Sequence, residues 1–454
     1  VSGVRGALIC FAVMAALIAG VGFLQSWAVS LALLDMGLIS ALMALGLNIQ
    51  WGYAGLFNAG VMGFAALGGL AVVLVSRPPV AAAWQAGGAG LAGAALAIAA
   101  GVALIVVVRR QMPRGRRRAL AVTAVALLAY LLARAFFEPA VVAIEAVEPA
   151  KTGYLGGLGL PVLLAWPLGG LLAAGAAWIV GRVALGLRSD YLAIATLGIS
   201  EIVIAILKNE DWLTRGVKNV TGLARPLPYE VDLQASPWFV DLVAWLHRPG
   251  LEALAADERA EALRAAVTSA SGLFVKGGYA LLFALVLGLV LWLSERALRS
   301  PWGRMMRAIR DNERAARAMG KDVTARHLQV FILGSAVIGI AGAMLTTLDG
   351  QFTPGSYNPL RFTFLIWVMV IVGGSGNNWG AVLGGFLVWF IWVEAEPAGR
   401  WLMDVLTAVL AEDSALRAHL LEGAAHMRMI FMGVLLLVVL RFSPRGLLPE
   451  ARLR

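Results

Sequence analysis

Arg299-Ser-Pro-Trp-Gly-Arg-Met-Met-Arg-Ala-Ile-Arg-Asp-Asn-Glu-Arg-Ala-Ala-Arg-Ala-Met-Gly-Lys-Asp-Val-Thr-Ala-Arg326 is the most charged and most helix-patterned stretch of a 454-residue chain that is 60% hydrophobic and 14% charged. It lies between apolar runs at 277–298 and 328–348, each close to the ~20 residues that carry a helix across a hydrocarbon core. A mean hydropathy of +0.82 is more than a water-soluble domain can bury. The fold class expected is therefore an all-α integral membrane protein, one membrane domain over 1–454, with about 10–12 transmembrane helices.

Outward from that stretch, further spans are expected near 6–24, 28–49, 53–75, 86–108, 119–137, 161–186, 190–208 and 428–442, with a broken apolar stretch at 361–393. The run from Ala7 to Leu24 imitates a signal peptide, but comparable runs follow, so it is read as a retained span. The net charge of +10 would suggest nucleic acid in a soluble domain. Here the arginines fall in short gaps between spans, where positive charge orients helices toward the cytoplasm, and no nucleic-acid partner is implied. With the N-terminus inside, alternation puts the basic loop 109–118, then Arg182 and Arg188, then the 299–326 loop on the cytoplasmic side. Membrane lipid is the surface these arginines meet. The 209–275 segment is expected outside as an insertion with one helix over Leu251–Ala266, and the acidic 394–426 segment as an outer loop. The basic tail after the last span stays inside only if 361–393 enters and leaves on one face as two half-helices turning at Gly373-Gly374-Ser375-Gly376-Asn377-Asn378.

Catalytic signatures are absent. No phosphate loop occurs, since Gly320-Lys321 is followed by Asp322 and lacks the upstream glycine. There is no Gly-x-Ser-x-Gly elbow and no His-Glu-x-x-His pair, so the chain is read as a non-enzyme with no catalytic residue. Cys10 is the single cysteine, and His247, His327, His419 and His426 lack ligand spacing; no metal site is expected.

Candidate pathway residues come from two glycine-rich interruptions. Asn48, Gly52, Gly55, Phe57, Asn58 and Gly60 sit where a span should be smooth, and Gly373, Gly374, Gly376 and Gly380 interrupt the other half. Paired interruptions expose backbone to a substrate near the midplane. Close helix packing along Gly376, Gly380 and Gly384 is the competing explanation. Glu201, with Tyr191 and Thr196 on the same span, is an ionisable group at membrane depth, which marks either a functional site or a structural pairing. Asp35 is similar but nearer a helix end.

In the 299–326 loop, Arg307, Arg310, Arg314 and Arg317 recur at three and four residues and predict one helical stripe beside an apolar face of Met305, Ile309, Ala316 and Met319, with Gly320 as the stop. Such a helix suits lipid headgroups or, better, a groove on another protein.

These residues resemble the inner-membrane permeases of branched-chain amino acid ABC importers, the Liv type, M subunit. The resemblance is carried by 48–60, Arg188-Ser-Asp-Tyr-Leu-Ala-Ile-Ala-Thr-Leu-Gly-Ile-Ser-Glu201, Leu213-Thr214 with Gly222, 300–320, Gly373-Gly374-Ser-Gly376-Asn-Asn-Trp-Gly380 and Arg441-Phe-Ser-Pro-Arg-Gly-Leu-Leu448. It implies an ABC importer permease fold in the bacterial inner membrane. The implied partners are a LivH-like second permease, two LivG/LivF-like ATPase subunits that bind the ATP and Mg, and a periplasmic binding protein; this chain itself needs no cofactor. It also implies an ATPase-coupling helix over Ser300–Gly320, with Arg307, Arg310, Asp311, Asn312, Ala315, Ala316, Met319 and Gly320 as coupling residues. The family's leading Glu is replaced by Arg314, and the 109–118 region with its flanking spans reads as an insertion. Branched-chain amino acids are the expected cargo, and urea or a short amide is the alternative on the same architecture. An ion-coupled secondary transporter using Asp35 and Glu201, or a passive scaffold, would leave the 299–326 pattern or the broken glycine segments without a purpose.

Overall fold

The computed structural model describes residues 4–149, 151–408 and 414–450. The chain is almost wholly helical. In order the main helices are α1 (Val4–Leu24), α2 (Trp27–Ala54), α3 (Val61–Ser76), α4 (Ala81–Gln111), α5 (Arg116–Glu145), α6 (Ala165–Ala184), α7 (Ser189–Asn209), α8 (Ala256–Arg299), α9 (Pro301–Asp311), α10 (Glu313–Ala318), α11 (Val323–Asp349), α12 (Pro359–Gly373), α13 (Asn378–Thr407) and α14 (Met427–Phe442). Among the described residues nine helices are long and apolar enough to cross a membrane. The shorter α3, α12 and α14 complete the bundle.

Its centre is α11, packed between α2, α3 and α6. Small residues allow the close crossings: a methyl group on Gly342 would run into the Ala65 carbonyl, and one on Gly339 into Ala173 and Gly169. Without a hydrophobic drive between helices in lipid, such contact is a main source of association. The α4–α5 pair stands apart, packed chiefly on itself, and its outward residues Leu96 and Leu120 are each 71% exposed. Two extended residues, Val220 and Thr221, pair antiparallel with Phe352 and Gln351. This fastens the segment after α7 to the end of α11, opposite to the end that carries α9 and α10. The latter is called the basic end below.

Several expected boundaries move, each for a local reason. The first break falls after Ala54, not near 50: α2 runs through Asn48 and Gln50, whose amides find side-chain and backbone partners, and stops where Gly55 takes φ 68°. The 209–275 segment is not one loop with a helix at 251–266. It holds short helices at Glu230–Ala235, Pro237–Leu246 and Arg248–Glu252, and from Ala256 it already belongs to α8. No proline interrupts this 44-residue helix, about 66 Å long at ~1.5 Å per residue. Nor is 394–426 a loop throughout, because α13 continues to Thr407 across Pro397. There Glu394 accepts from Gln25 at 2.8 Å and Glu396 pairs with Arg400 at 3.2 Å and Arg428 at 2.9 Å. Glu412 and Asp413 lie outside the described residues, as do Arg452 and Arg454.

Candidate coupling and pathway site

Two broken hairpins turn toward the basic end. In the first, the 28-residue α2 descends, 55–60 forms an extended bend, and the 16-residue α3 returns. In the second the order is reversed: the 15-residue α12 descends, 374–377 turns, and α13 returns over 30 residues. The pairings Gly373 against Gly380 and Met369 against Gly384 fix α12 and α13 as antiparallel neighbours. The stretch thus turns back on itself at the expected glycines, but its second arm is full length where a half-helix was expected. Asn377 explains why α13 starts so sharply, since its Oδ1 accepts from the amides of Trp379 (3.0 Å) and Gly380 (3.4 Å).

The two turns meet. Asn48, fully buried, accepts at Oδ1 from the Gly376 amide (2.9 Å) and donates from Nδ2 to Asn378 Oδ1 (3.2 Å). Asn378 in turn donates to Glu295 on α8 at 3.0 Å. Gly52 faces this junction, where a methyl group would collide with the Asn48 side chain and the Gly376 amide. Beside it, Gln50 donates to Phe331 O (2.9 Å) and Ser335 Oγ (3.0 Å) of α11 and accepts from Asn58 Nδ2 (2.9 Å). Asn58 Oδ1 then accepts from the Gly60 amide at 2.8 Å, starting the return. The buried side-chain amides of Asn48, Gln50, Asn58 and Asn378 all have partners, which membrane depth demands.

An aromatic group joins the arms. Trp367 of α12 donates from Nε1 to Asn58 O at 3.0 Å and stacks on Phe57 with centroids 4.2 Å apart, while Trp51 meets the Trp367 ring edge-on at 5.1 Å. Thr196 of α7 supports the bend from the other side, accepting from the Ala59 amide at 3.0 Å.

Arg310 of α9 closes the arrangement from below. The amides of Gly55 and Leu56 turn back to the carbonyls of Trp51 and Gln50, so the Gly52 carbonyl has no helical amide ahead of it. Arg310 Nη1 donates to it, and Nη2 pairs with Glu450 at 2.9 Å. Glu450 belongs to the tail that wraps the second turn: Leu447 and Leu448 donate to Val372 O and Gly373 O, both at 2.9 Å, and Asn377 Nδ2 donates to Leu448 O at 3.1 Å. One guanidinium thereby touches the first hairpin and the tail that holds the second.

The segment expected to couple to an ATPase is not the single helix the arginine spacing predicts. It breaks at Asn312 (φ −154°), whose Oδ1 accepts from the Ala315 amide at 3.0 Å and caps α10. The stripe splits there. Arg307 donates to Leu298 O at 2.9 Å and, like Arg310, faces the bundle, whereas Arg314 and Arg317 are exposed. Of the expected apolar face, Ile309 and Ala316 are buried and Met305 half-buried, while Met319 is 80% exposed; Met306, not expected on that face, is buried. Asp311, Asn312, Ala315 and Gly320 are exposed with it, and Gly320 at φ 76° ends the helix as expected.

Of the candidate pathway residues, Asn48, Gly52, Gly55, Phe57, Asn58, Gly60, Thr196 and Gly376 gather at or beside this junction. Gly373, Gly380 and Gly384 serve the α12–α13 packing, and Gly374, at φ 118°, meets the tail at Leu448. Tyr191 and Glu201 are not there; both lie on the exposed face of α7. Asp35 is 1% exposed and far along α2, with Lys276 as its electrostatic neighbour. Glu295, Trp367, Asn378 and Glu450 were missed as site residues. The doublet Asn377-Asn378 beside the glycines was the one usable signal, because the others join the junction only through tertiary contacts.

The family described as branched-chain amino acid transport system / permease component matches residues 119–440. The chain is 26% identical over 317 residues to the high-affinity branched-chain amino acid transport system permease protein LivM of Salmonella typhimurium, covering 68% of this chain and 62% of that protein. It is 26% identical over 310 residues to the LivM of Escherichia coli K12, with the same coverage. It is 28% identical over 182 residues to a probable LivM of Methanocaldococcus jannaschii, covering 39% of this chain and 49% of that protein. The chain thus spans 62% of the length of the first two relatives, and no solved structure matches it. With a matched region that takes in nearly all of α5 and α14 and every helix from α6 through α13, the chain belongs to the family of permease components of branched-chain amino acid transport systems.

Proposed function

We propose that this chain is a LivM-like permease subunit of an ATP-driven importer of branched-chain amino acids in the bacterial inner membrane. It works with a second permease, two cytoplasmic ATPase subunits that bind ATP and Mg, and a periplasmic binding protein. The observation that carries this reading is the Arg310 junction. The surface Asp311–Met319, exposed except at Ala316, follows directly on α9, whose Arg310 guanidinium bonds the first hairpin and the tail that holds the second. A push on that surface reaches the turns across one break, at the capping Asn312. ATPase closure would bias the hairpins between two arrangements, and only contacts that differ between the two can drive the switch.

The basic end is read as cytoplasmic, in keeping with the arginines of its loops. The fully bonded junction then acts as the closed inner gate, and opening it exchanges the bonds from Asn48 to Gly376 and Asn378 for water or substrate. The cargo is taken from the LivM relatives, which are branched-chain amino acid permeases, and selection is shared with the binding protein. The test is reconstitution with partner subunits in proteoliposomes, supplied with binding protein and labelled leucine or urea. ATP-dependent leucine uptake is expected. Uptake driven by a proton gradient without ATPase subunits, or uptake of urea alone, would overturn the reading.

A further inference from the structure

Helix α7 has two unlike faces. One buries Leu192, Thr196, Ser200 and Ile204, with Thr196 bonded to the first bend at Ala59 and Ser200 against Gly63 of α3. The other exposes Ile194, Gly198, Glu201, Ile202 and Ala205. Among the described residues no donor reaches the Glu201 carboxylate, and an added Cβ on Gly198 meets nothing within 4 Å. Glu201 is twelve residues beyond Ser189 and eight before Asn209, about 18 Å and about 12 Å from the helix ends. A glutamate is too short to reach either interface from there, and a bare carboxylate facing lipid at that depth is costly.

We infer that this stripe of α7 seats a second, non-identical membrane subunit whose facing helix presents a cationic or hydrogen-bond-donating side chain to Glu201. The inference deepens the importer reading and rests on it for the existence of that subunit. Charge complementarity selects the occupant. Lipid tails offer Glu201 nothing, and a second copy related by a two-fold axis through this stripe would set Glu201 against Glu201, while the stripe itself, Ile194, Gly198, Ile202 and Ala205, holds no donor side chain for it. Gly198, one turn before it, lets a partner backbone come close enough for a short side chain to bond. Because the opposite face of α7 holds Ala59 and Gly60, the partner would bear on the first bend through the thickness of one helix.

Replacing the single cysteine (Cys10→Ser) gives a background in which Gly198→Cys carries a benzophenone maleimide in the assembled transporter, with Leu96→Cys on α4 as the lipid-facing control. Irradiation is expected to join Gly198→Cys to a different membrane subunit, on a peptide with a Lys, Arg, His or amide side chain, while Leu96→Cys labels lipid. Glu201→Gln should lower retention of that subunit by roughly threefold to tenfold, and Glu201→Lys should abolish it. Lipid-only adducts at position 198, an adduct to a second copy of this chain, modification of Ile202→Cys by a charged methanethiosulfonate in the assembled complex, or unchanged retention in Glu201→Gln would each overturn the inference. Photolabelling needs neither ATP nor substrate, so an error in the energy source or cargo would leave these outcomes unchanged.

Discussion

Replacing Arg310 by Met keeps most of the side-chain volume and removes the guanidinium that links α9 to Gly52 and Glu450. The bond to the Gly52 carbonyl is charge-assisted and caps the last turn of α2, which places it at about 1.5–3 kcal/mol. The ion pair adds little: the Arg310 and Glu450 side chains are 23% and 29% exposed, and solvent screening holds such a pair to at most ~1 kcal/mol. Because the two contacts share one group they do not add, and about 2 kcal/mol is the loss assigned to local opening of the junction. That corresponds to roughly thirtyfold faster amide exchange over 50–58 and 374–378, read by hydrogen–deuterium exchange on the assembled transporter. Leucine uptake should fall while ATPase subunits remain bound, since the only change at Asp311–Met319 is loss of the 3.0 Å pair from Arg310 Nε to Asp311, whose side chain is 67% exposed. Arg310→Lys keeps the charge but cannot reach both partners, and should fall between. Loss of ATPase binding with unchanged exchange would refute the reasoning, because Arg310 would then be a docking contact.

Met319→Glu with Arg314→Glu should remove ATPase co-purification while leaving thermal stability within about 0.5 kcal/mol, as both side chains are exposed; retained ATPase would rule out the 311–319 surface. Gly52→Ala should push the two turns apart at a cost of about 1–3 kcal/mol, detected as lower Tm with lost uptake, and a silent variant would contradict the contact between Gly52 and Gly376. Asn48→Leu leaves the Gly376 amide and the Asn378 Oδ1 unpaired, and a loss of about 1–3 kcal/mol is expected in denaturation of the purified subunit. Trp367→Ala empties the space against Phe57 and Trp51 and should cost about 3–5 kcal/mol, with fluorescence of the remaining tryptophans reporting whether the cluster persists.

The places where the chain departs from smooth apolar helix were readable because punctuation is local. Gly55, Gly374 and Gly376 take positive φ at the turns, and Asn312 and Asn377 cap the helices that follow. The amides of Asn48 and Gln50 misled about the first break. Polar side chains end a helix only when they compete for its backbone, and these two are bonded elsewhere. The arginine spacing misled in the same way. Periodicity reports a face only while the helix is unbroken, and Asn312 breaks it.

By itself the sequence determined the membrane class, the existence of two interrupted stretches, the charged segment between spans and the family resemblance. These follow from composition, run length and motif order, which need no contact to be read. Only the tertiary structure decided that the interruptions meet at Asn48 and Gly376, that Arg307 and Arg310 face the bundle while Met319 faces out, that Glu295 and Glu450 belong to the junction, and that Glu201 is left facing outward. Residues 48 and 376 are brought together by the packing of whole helices, and no local preference of either segment encodes that meeting.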